Sequence, residues 1–353
     1  HGQVQIPVHT FGFGSDHDAA TMHTISEVSG GTFSFVQRES GLQDAFAQCI
    51  GGLLSVVAQD VQLTVSCSSS EVSINKIHAG SYSTSILENG RHGIIKLGDL
   101  YAEEERHILV EVKLPVCLPP RNGGGDEPMA LIQAGCMYKD PITQETSQNI
   151  AEDSSILRPE ALSREEDRVP SLQVDRQRNR FNVAEAISKA KSMADEGRIE
   201  AAQEHLQRAQ EAVKSSMSAR SGDRLCNALE LELNEIQGRI ANRQMYETLG
   251  RAYILSAQSS HMRQRATTRG DAQDGGQNHD YQTSSMVGLV HQSQTLSSST
   301  ANLAFTPGAF PRGAAIRAGP QHHSPRNTSS KSQSQSQSQS PSQSPLGSNV
   351  KKH

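Results

Sequence analysis

The hydrophobic period of this chain changes along its length, and the positions of those changes constrain its fold more than any single motif. Up to Val57, apolar runs of strand length alternate with stripes at helical spacing. Ile6 to Gly14 has the apolar density of a buried strand and ends in Gly12-Phe13-Gly14, a glycine pair suited to a tight strand-to-helix turn. Ser15 or Asp16 is placed to cap a helix through Ala19, Met22, Ile25 and Val28, and Gly30-Gly31 stops it. Thr32–Val36 reads as a second strand. Leu42, Ala45, Phe46, Cys49, Ile50, Leu53 and Val57 form the stripe of a second helix. This β-α-β-α order is the unit of a doubly wound parallel sheet. Two strands cannot close one, so the reading places the other strands before His1.

From Asp60 to about Tyr138 the period becomes two. Val61-Leu63-Val65-Cys67, Val72-Ile74, Ile94-Ile95-Leu97, Ile108-Val110-Val112-Leu114 and Ala130 to Tyr138 are strand candidates, with turns at Glu88-Asn89-Gly90-Arg91 and Arg121 to Asp126. Short strands with turn punctuation predict an antiparallel sandwich or small barrel. Residues 147–174, polar and broken by Pro159 and Pro170, read as a linker. Helical spacing returns in Val183, Ile187, Ala190, Ala194, then Ile199, Ala202, Leu206, Ala209, Val213, and finally Leu225, Leu229, Leu233, Ile236, Ile240, Leu249 and Ala252. After Gln258 the apolar signal fades into Gln, Ser, Gly and Arg and ends in the Ser-Gln repeat of residues 332–340, too polar to offset the entropy of ordering. Met286 to Val290 is an exception, an apolar patch able to dock back.

Composition supports this division. Hydrophobic residues make up 35% of the 353 residues and aromatics 4%, with no Trp, which is lean for a wholly packed chain. The net charge of -5 provides no basic field for nucleic acid or anionic membrane. Five scattered cysteines, without CxxC, fit a reduced intracellular, cytoplasmic location better than a disulfide framework. No apolar run reaches the roughly 18 residues of a membrane span.

Two stretches carry a resemblance to a known family. Val8-His9-Thr10-Phe11-Gly12-Phe13-Gly14-Ser15-Asp16-His17-Asp18, continued by Ile25 to Val36 with its Gly30-Gly31-Thr32-Phe33 turn, resembles the closing third of a von Willebrand factor A domain. Gln43 to Val57, followed by Gly98-Asp99-Leu100-Tyr101-Ala102-Glu103-Glu104-Glu105-Arg106, is similar to the plant RING-type zinc-finger von Willebrand A family, known for the WAVY GROWTH ubiquitin ligases.

The resemblance implies a β-rich domain and a helical region after the A domain. It also implies a Mg²⁺ loop and a zinc-binding RING finger, both expected upstream of His1, so no metal ligand is carried onto this sequence. The expected layout is multidomain α+β: residues 1–58 the C-terminal half of a doubly wound α/β von Willebrand A domain, 59–146 an antiparallel β-sandwich-like domain, 147–174 a linker, 175–257 a three-helix region and 258–353 a disordered tail.

Candidate chemistry is sparse. Gly12 to Asp16 lacks the third glycine or Lys-Ser/Thr of a nucleotide-binding turn. Asp16, His17, Asp18 and His23 can be drawn as a metal cluster, but read more simply as cap and solvated face. Cys49 sits in a helix stripe and reads as a core thiol. Glu103-Glu104-Glu105, beside Arg106 and His107, reads as a solvated turn. Arg176, Arg178 and Arg180, and Arg263, Arg265 and Arg269, are basic stretches with aromatics for stacking scarce beside them. Gly197-Arg198-Ile199-Glu200-Ala201-Ala202 is reminiscent of a tetratricopeptide turn, yet one such pair is too few for an array. Ser324, Ser340 and Ser344, each before Pro, are candidate phosphorylation sites.

No catalytic, cofactor or metal residue is therefore named. The function expected is a protein-binding scaffold, the partner-recruiting portion of a ubiquitin ligase and not catalytic by itself, with other proteins as partners, without nucleic acid or membrane, and with an oligomeric state that the residues leave open. The alternative is a cation-dependent von Willebrand A adhesion or assembly protein.

Overall fold

The computed structural model describes residues 6–116, 128–158, 168–270 and 281–304. Its first elements follow the expected order: β1 (Thr10–Phe13), α1 (Ala19–Ser29), β2 (Phe33–Val36) and α2 (Leu42–Leu53). Asp18 caps α1, accepting from the Ala20 and Thr21 amides, and Gly30 ends it at φ 89°. Strands β1 and β2 pair in parallel, Phe11 opposite Ser34. A third strand, β11 (Arg269–Gly270), pairs in parallel with the other edge of β2. The sheet thus recruits a strand from residues that composition assigned to the tail.

Helix α2 departs from its expected stripe. Phe46, Ile50 and Leu53 are 46%, 44% and 45% exposed, whereas Ala45, Ala47, Gln48, Gly51 and Gly52 are buried. The cause is α9 (Ser284–Ala304), which packs along α2. A Cβ at Gly51 would lie 2.8 Å from the Met286 Cα, and one at Gly52 would strike the Tyr101 ring, so the two glycines form a notch that admits another backbone. Met286, 2% exposed, fills it. Val57 falls in a strand, not in the helix.

The β-rich part is a sandwich. β3 (Val56–Cys67), β5 (Ser83–Leu87), β6 (His92–Tyr101), β8 (Met129–Lys139) and β10 (Ser154–Ile156) form an antiparallel sheet in the order β10-β8-β3-β6-β5, with β9 (Thr146–Ile150) also on β8. A second layer pairs β4 (Ser73–His78) with β7 (Leu109–Lys113). Val61, Val65, Ile74, Ile77, Ile95 and Leu97 fill the space between. The alternation in β3 and β6 puts every second side chain there. Strands β9 and β10 correct the linker boundary: their exposed, polar sequences show no alternation.

The helices α3 (Leu172–Asp195), α4 (Ile199–Ser215) and α6 (Arg224–Arg239) follow the predicted stripes, with Gly197 in the left-handed region between α3 and α4 and a short α5 (Met217–Arg220), not expected from the sequence, before α6. The stripe expected to run from Leu225 to Ala252 breaks at Ile240 to Asn242. There Asn242 caps α7 (Arg243–Met245), and a π turn over Tyr246–Gly250 leads into α8 (Arg251–Arg263). α8 covers β2 and α1. Val183, Ile187, Leu206, Leu229 and Ile254 share one core with Ala19, Phe33 and Phe35, so the helices and the parallel sheet are not separate domains.

Residues 258–270 are a second correction to the expected tail. Ser259, Ser260, His261, Arg263, Gln264, Arg265, Thr267, Thr268 and Arg269 are all buried, though every one is polar. They are held by hydrogen bonds: the Phe33 amide donates to Ser259 Oγ at 2.9 Å, and the Thr268 amide to Ser34 Oγ at 3.2 Å. Residues 305–353, with Ser324, Ser340, Ser344 and the Ser-Gln repeat, lie outside the described residues, as does Cys117.

Candidate functional site

The site is the junction at which sandwich, parallel sheet and helices meet. It begins in the turn after β6. Glu103, at φ 65°, turns the chain so that Glu104 points inward. The Glu104 side chain is 1% exposed, and both its oxygens accept from Arg265, at 2.7 and 2.8 Å. Arg106 closes on the same carboxylate at 2.8 Å, and the Tyr101 amide donates to it at 3.0 Å. Burial pushes the Glu104 carboxyl up, but the Arg265 hydrogen bonds and the Arg265 and Arg106 charges outweigh it and hold the group below the usual carboxylate range. The Arg265 guanidinium lies 3.9 Å from the Tyr101 ring centre, and burial pushes that phenol up to about 12. The expected solvated acidic turn is therefore, at Glu104, a buried ion cluster.

A second cluster lies deeper. Glu232 of α6 takes His261 at 2.6 Å and also pairs with Arg269. Desolvation favours its neutral form, yet the Arg269 charge and the His261 contact hold its carboxyl low. Arg263 stacks on Tyr82 at 5.2 Å and donates to the Glu27 carbonyl at 2.6 Å. The arginines at 263, 265 and 269 thus tie α1, the sandwich and α6 together through side chains that sequence reading assigned to a basic tail. One signal was available: arginines and threonines at every second position from Arg263 to Arg269, the period of an extended segment with two different faces.

Over these clusters lies a cleft of about 400 Å³, walled by the 103–107 turn, the start of α3, the first turn of α6, Gln264 and Tyr281. Arg180, 5% exposed, donates to Gln177 Oε1 at 2.8 Å and to the His261 and His107 carbonyls at 3.2 Å. Arg176 sits 3.7 Å from Asp223, which is engaged as the cap of α6.

The remaining candidates do not converge on chemistry. Asp18 is a helix cap, His23 faces Glu27 at 3.7 Å, and His17 packs against Phe33 and Phe35. A Cβ at Gly12 would lie 2.2 Å from the His17 ring, so this glycine accommodates an imidazole, not a phosphate. Among the described residues no three His, Cys, Asp or Glu side chains form a set able to hold a metal ion. The Cys49 thiol is pushed up to about 11 by burial, unsuited to a nucleophile. No helix among the described residues is long and apolar enough to cross a membrane.

Known proteins resemble this chain in sequence. A family model described as VWA / Hh protein intein-like matches residues 223–295, the stretch running from the α6 cap through the buried arginines into α9. The E3 ubiquitin-protein ligase WAV3 of Arabidopsis thaliana is 29% identical over 238 residues, 67% of this chain and 28% of its own length. WAVH1, named an E3 ubiquitin-protein ligase, and WAVH2, a probable one, both from the same plant, are 30% and 29% identical over 56% and 55% of this chain. The chain spans about a quarter of the length of these curated relatives. A von Willebrand factor type A structure from Catenulispora acidiphila aligns at 14% identity with a TM-score of 0.48, over 69% of this chain and 58% of its own. Over residues 223–295 the chain is thus similar to a VWA-type family model, and over more than half of its length to the WAVY GROWTH ubiquitin-ligase proteins of Arabidopsis thaliana.

Proposed function

We propose that this chain is a protein-interaction platform, the part of a ubiquitin-ligase-type protein that recruits and orients a partner, while transfer of ubiquitin belongs to other parts of such a protein. The observation that carries the reading is the junction. Buried ion pairs weld three kinds of architecture together and so hold their surfaces in fixed relation, as presentation of a bound protein requires. The matches to proteins named E3 ubiquitin-protein ligases supply the context.

Two assays test it. The chain, mixed with ubiquitin and its activating and conjugating enzymes, forms no ubiquitin chains; chain formation would overturn the proposal. Deleting the corresponding segment from WAV3 leaves self-ubiquitylation intact and abolishes ubiquitylation of its substrates. Unchanged substrate modification would equally sink the recruiting role.

A further inference from the structure

The cleft over the junction has an asymmetry in how its charges are used. Its carboxylates are committed to the fold: Glu103 accepts from the Ser284 amide at the start of α9, Glu104 is enclosed by Arg265 and Arg106, and Asp223 caps α6. Glu105, 83% exposed beside His107, is the one whose only ion pair is at the rim. The opposite wall carries Arg176, Arg180 and Arg224. Arg180 donates to neutral oxygens, and neither it nor Arg224 has a carboxylate partner among the described residues. Arg176 reaches Asp223 at 3.7 Å, longer than a charge-assisted hydrogen bond, and its Nε is buried without a hydrogen-bond partner. A buried guanidinium, Arg180, with no carboxylate on it and with two further arginines beside it, of which Arg176 approaches a carboxylate only at 3.7 Å, leaves a site in which an added carboxylate gains more than it does in water.

We propose that this cleft seats an acidic segment of a partner protein, its carboxylates on Arg176, Arg180 and Arg224, an inference that rests on the platform reading and gives that reading its recognition site. Arg176 and Arg180 lie about one helical turn apart on α3 and Arg224 opens α6, so the charges are spread over two elements and suit successive side chains of an extended peptide better than a single small anion. His107 reports the same field: burial lowers its affinity for a proton, and Arg180 and Arg176 oppose its charging further while Glu105 favours it.

The test is titration of the full chain with fluorescently labelled poly-glutamate, followed by anisotropy. Saturable binding that weakens with added salt is expected, with poly-lysine inert. The double variant Arg176→Gln/Arg224→Gln should weaken it about tenfold, the Lys/Lys counterpart should retain most of it, and Glu105→Gln should tighten it about twofold. Thermal unfolding of each variant confirms that it is folded. Absent binding, or binding that ignores the double variant, overturns the proposal. Displacement by inorganic phosphate at equal charge would reassign the cleft to small anions. Binding that appears only when Asp271, Asp274 and Asp280, which precede Tyr281 in sequence, are changed to Asn would assign the cleft to the chain's own segment. Each of these failures leaves the recruiting role intact, because the ubiquitylation assays read that role separately.

Discussion

The sandwich and the parallel sheet are built on opposite plans. In the sandwich, partners come from within one stretch of the chain: Ser66 of β3 meets His92 of β6 at a separation of 26 residues, Leu63 of β3 faces Cys136 of β8, and the cluster between the layers is apolar. In the parallel sheet, Ser34 of β2 receives the Thr268 amide from 234 residues away, and the joining segment is almost entirely polar. The first plan needs only burial of alternate side chains. The second needs each buried donor to find its acceptor, which ties sheet assembly to completion of the rest of the chain. The sandwich should therefore tolerate damage at the junction, and the sheet should not.

The strongest way to break this contrast is Glu104→Ala. Removing one partner of a buried pair leaves Arg265 uncompensated and should cost about 3–5 kcal/mol. Hydrogen exchange should quicken in β2, β11 and α8 and remain slow in β3 and β6; uniform acceleration would show that both regions unfold together. Acid should act alike. The Glu104 carboxyl is depressed in the folded state, so its contribution is present above the unfolded carboxylate value and is lost as pH falls through the lower folded value.

Ile95→Ala attacks the other side. Ile95 is 0% exposed, and its truncation should cost about 2–4 kcal/mol in denaturant unfolding, with exchange quickened in β3 and β6. A somewhat smaller effect is expected from Met286→Ala, about 2 kcal/mol, which empties the Gly51-Gly52 notch and should free α9 to exchange without altering the sandwich.

Titration of His9 sharpens the comparison further. Burial, reinforced by the Arg265 charge, lowers this histidine to about 4, and its Nδ1 accepts from the Thr32 amide. The unfolded chain binds the proton more readily, so stability is full above about pH 6.5 and is lost as pH falls towards 4. Partial contact with solvent reduces the effect to about 1–2 kcal/mol. Unfolding at pH 7 and pH 5 should differ in the native chain and converge in His9→Gln. Asp18→Ala, which removes the α1 cap, should have the smallest effect on stability and fray the first turn of α1 in amide exchange.

Much of the framework was legible in the residues. Val61-Leu63-Val65 and Ile94 to Leu97 alternate as half-buried strands must, and Val183-Ile187-Ala190-Ala194 repeats as a packed helix must. The junction was not. Glu104 reads as one of three exposed glutamates, and Arg265 as part of a basic tail, because nothing local distinguishes a charge that will be neutralised from one that will be solvated. α2 was misread in the same way: its apolar stripe is half-exposed, and its glycines are buried because α9 lies against them.

The sequence by itself thus determined the core strands of the sandwich and the helices α3, α4 and α6 with their apolar faces, since a strong periodicity along an element marks the face that leaves water. Only the tertiary structure decided where Arg180, Arg263, Arg265 and Arg269 would lie. Burial of a charge depends on an opposite charge or a set of carbonyls supplied from elsewhere in the chain, and that partnership exists only once the distant segments have met.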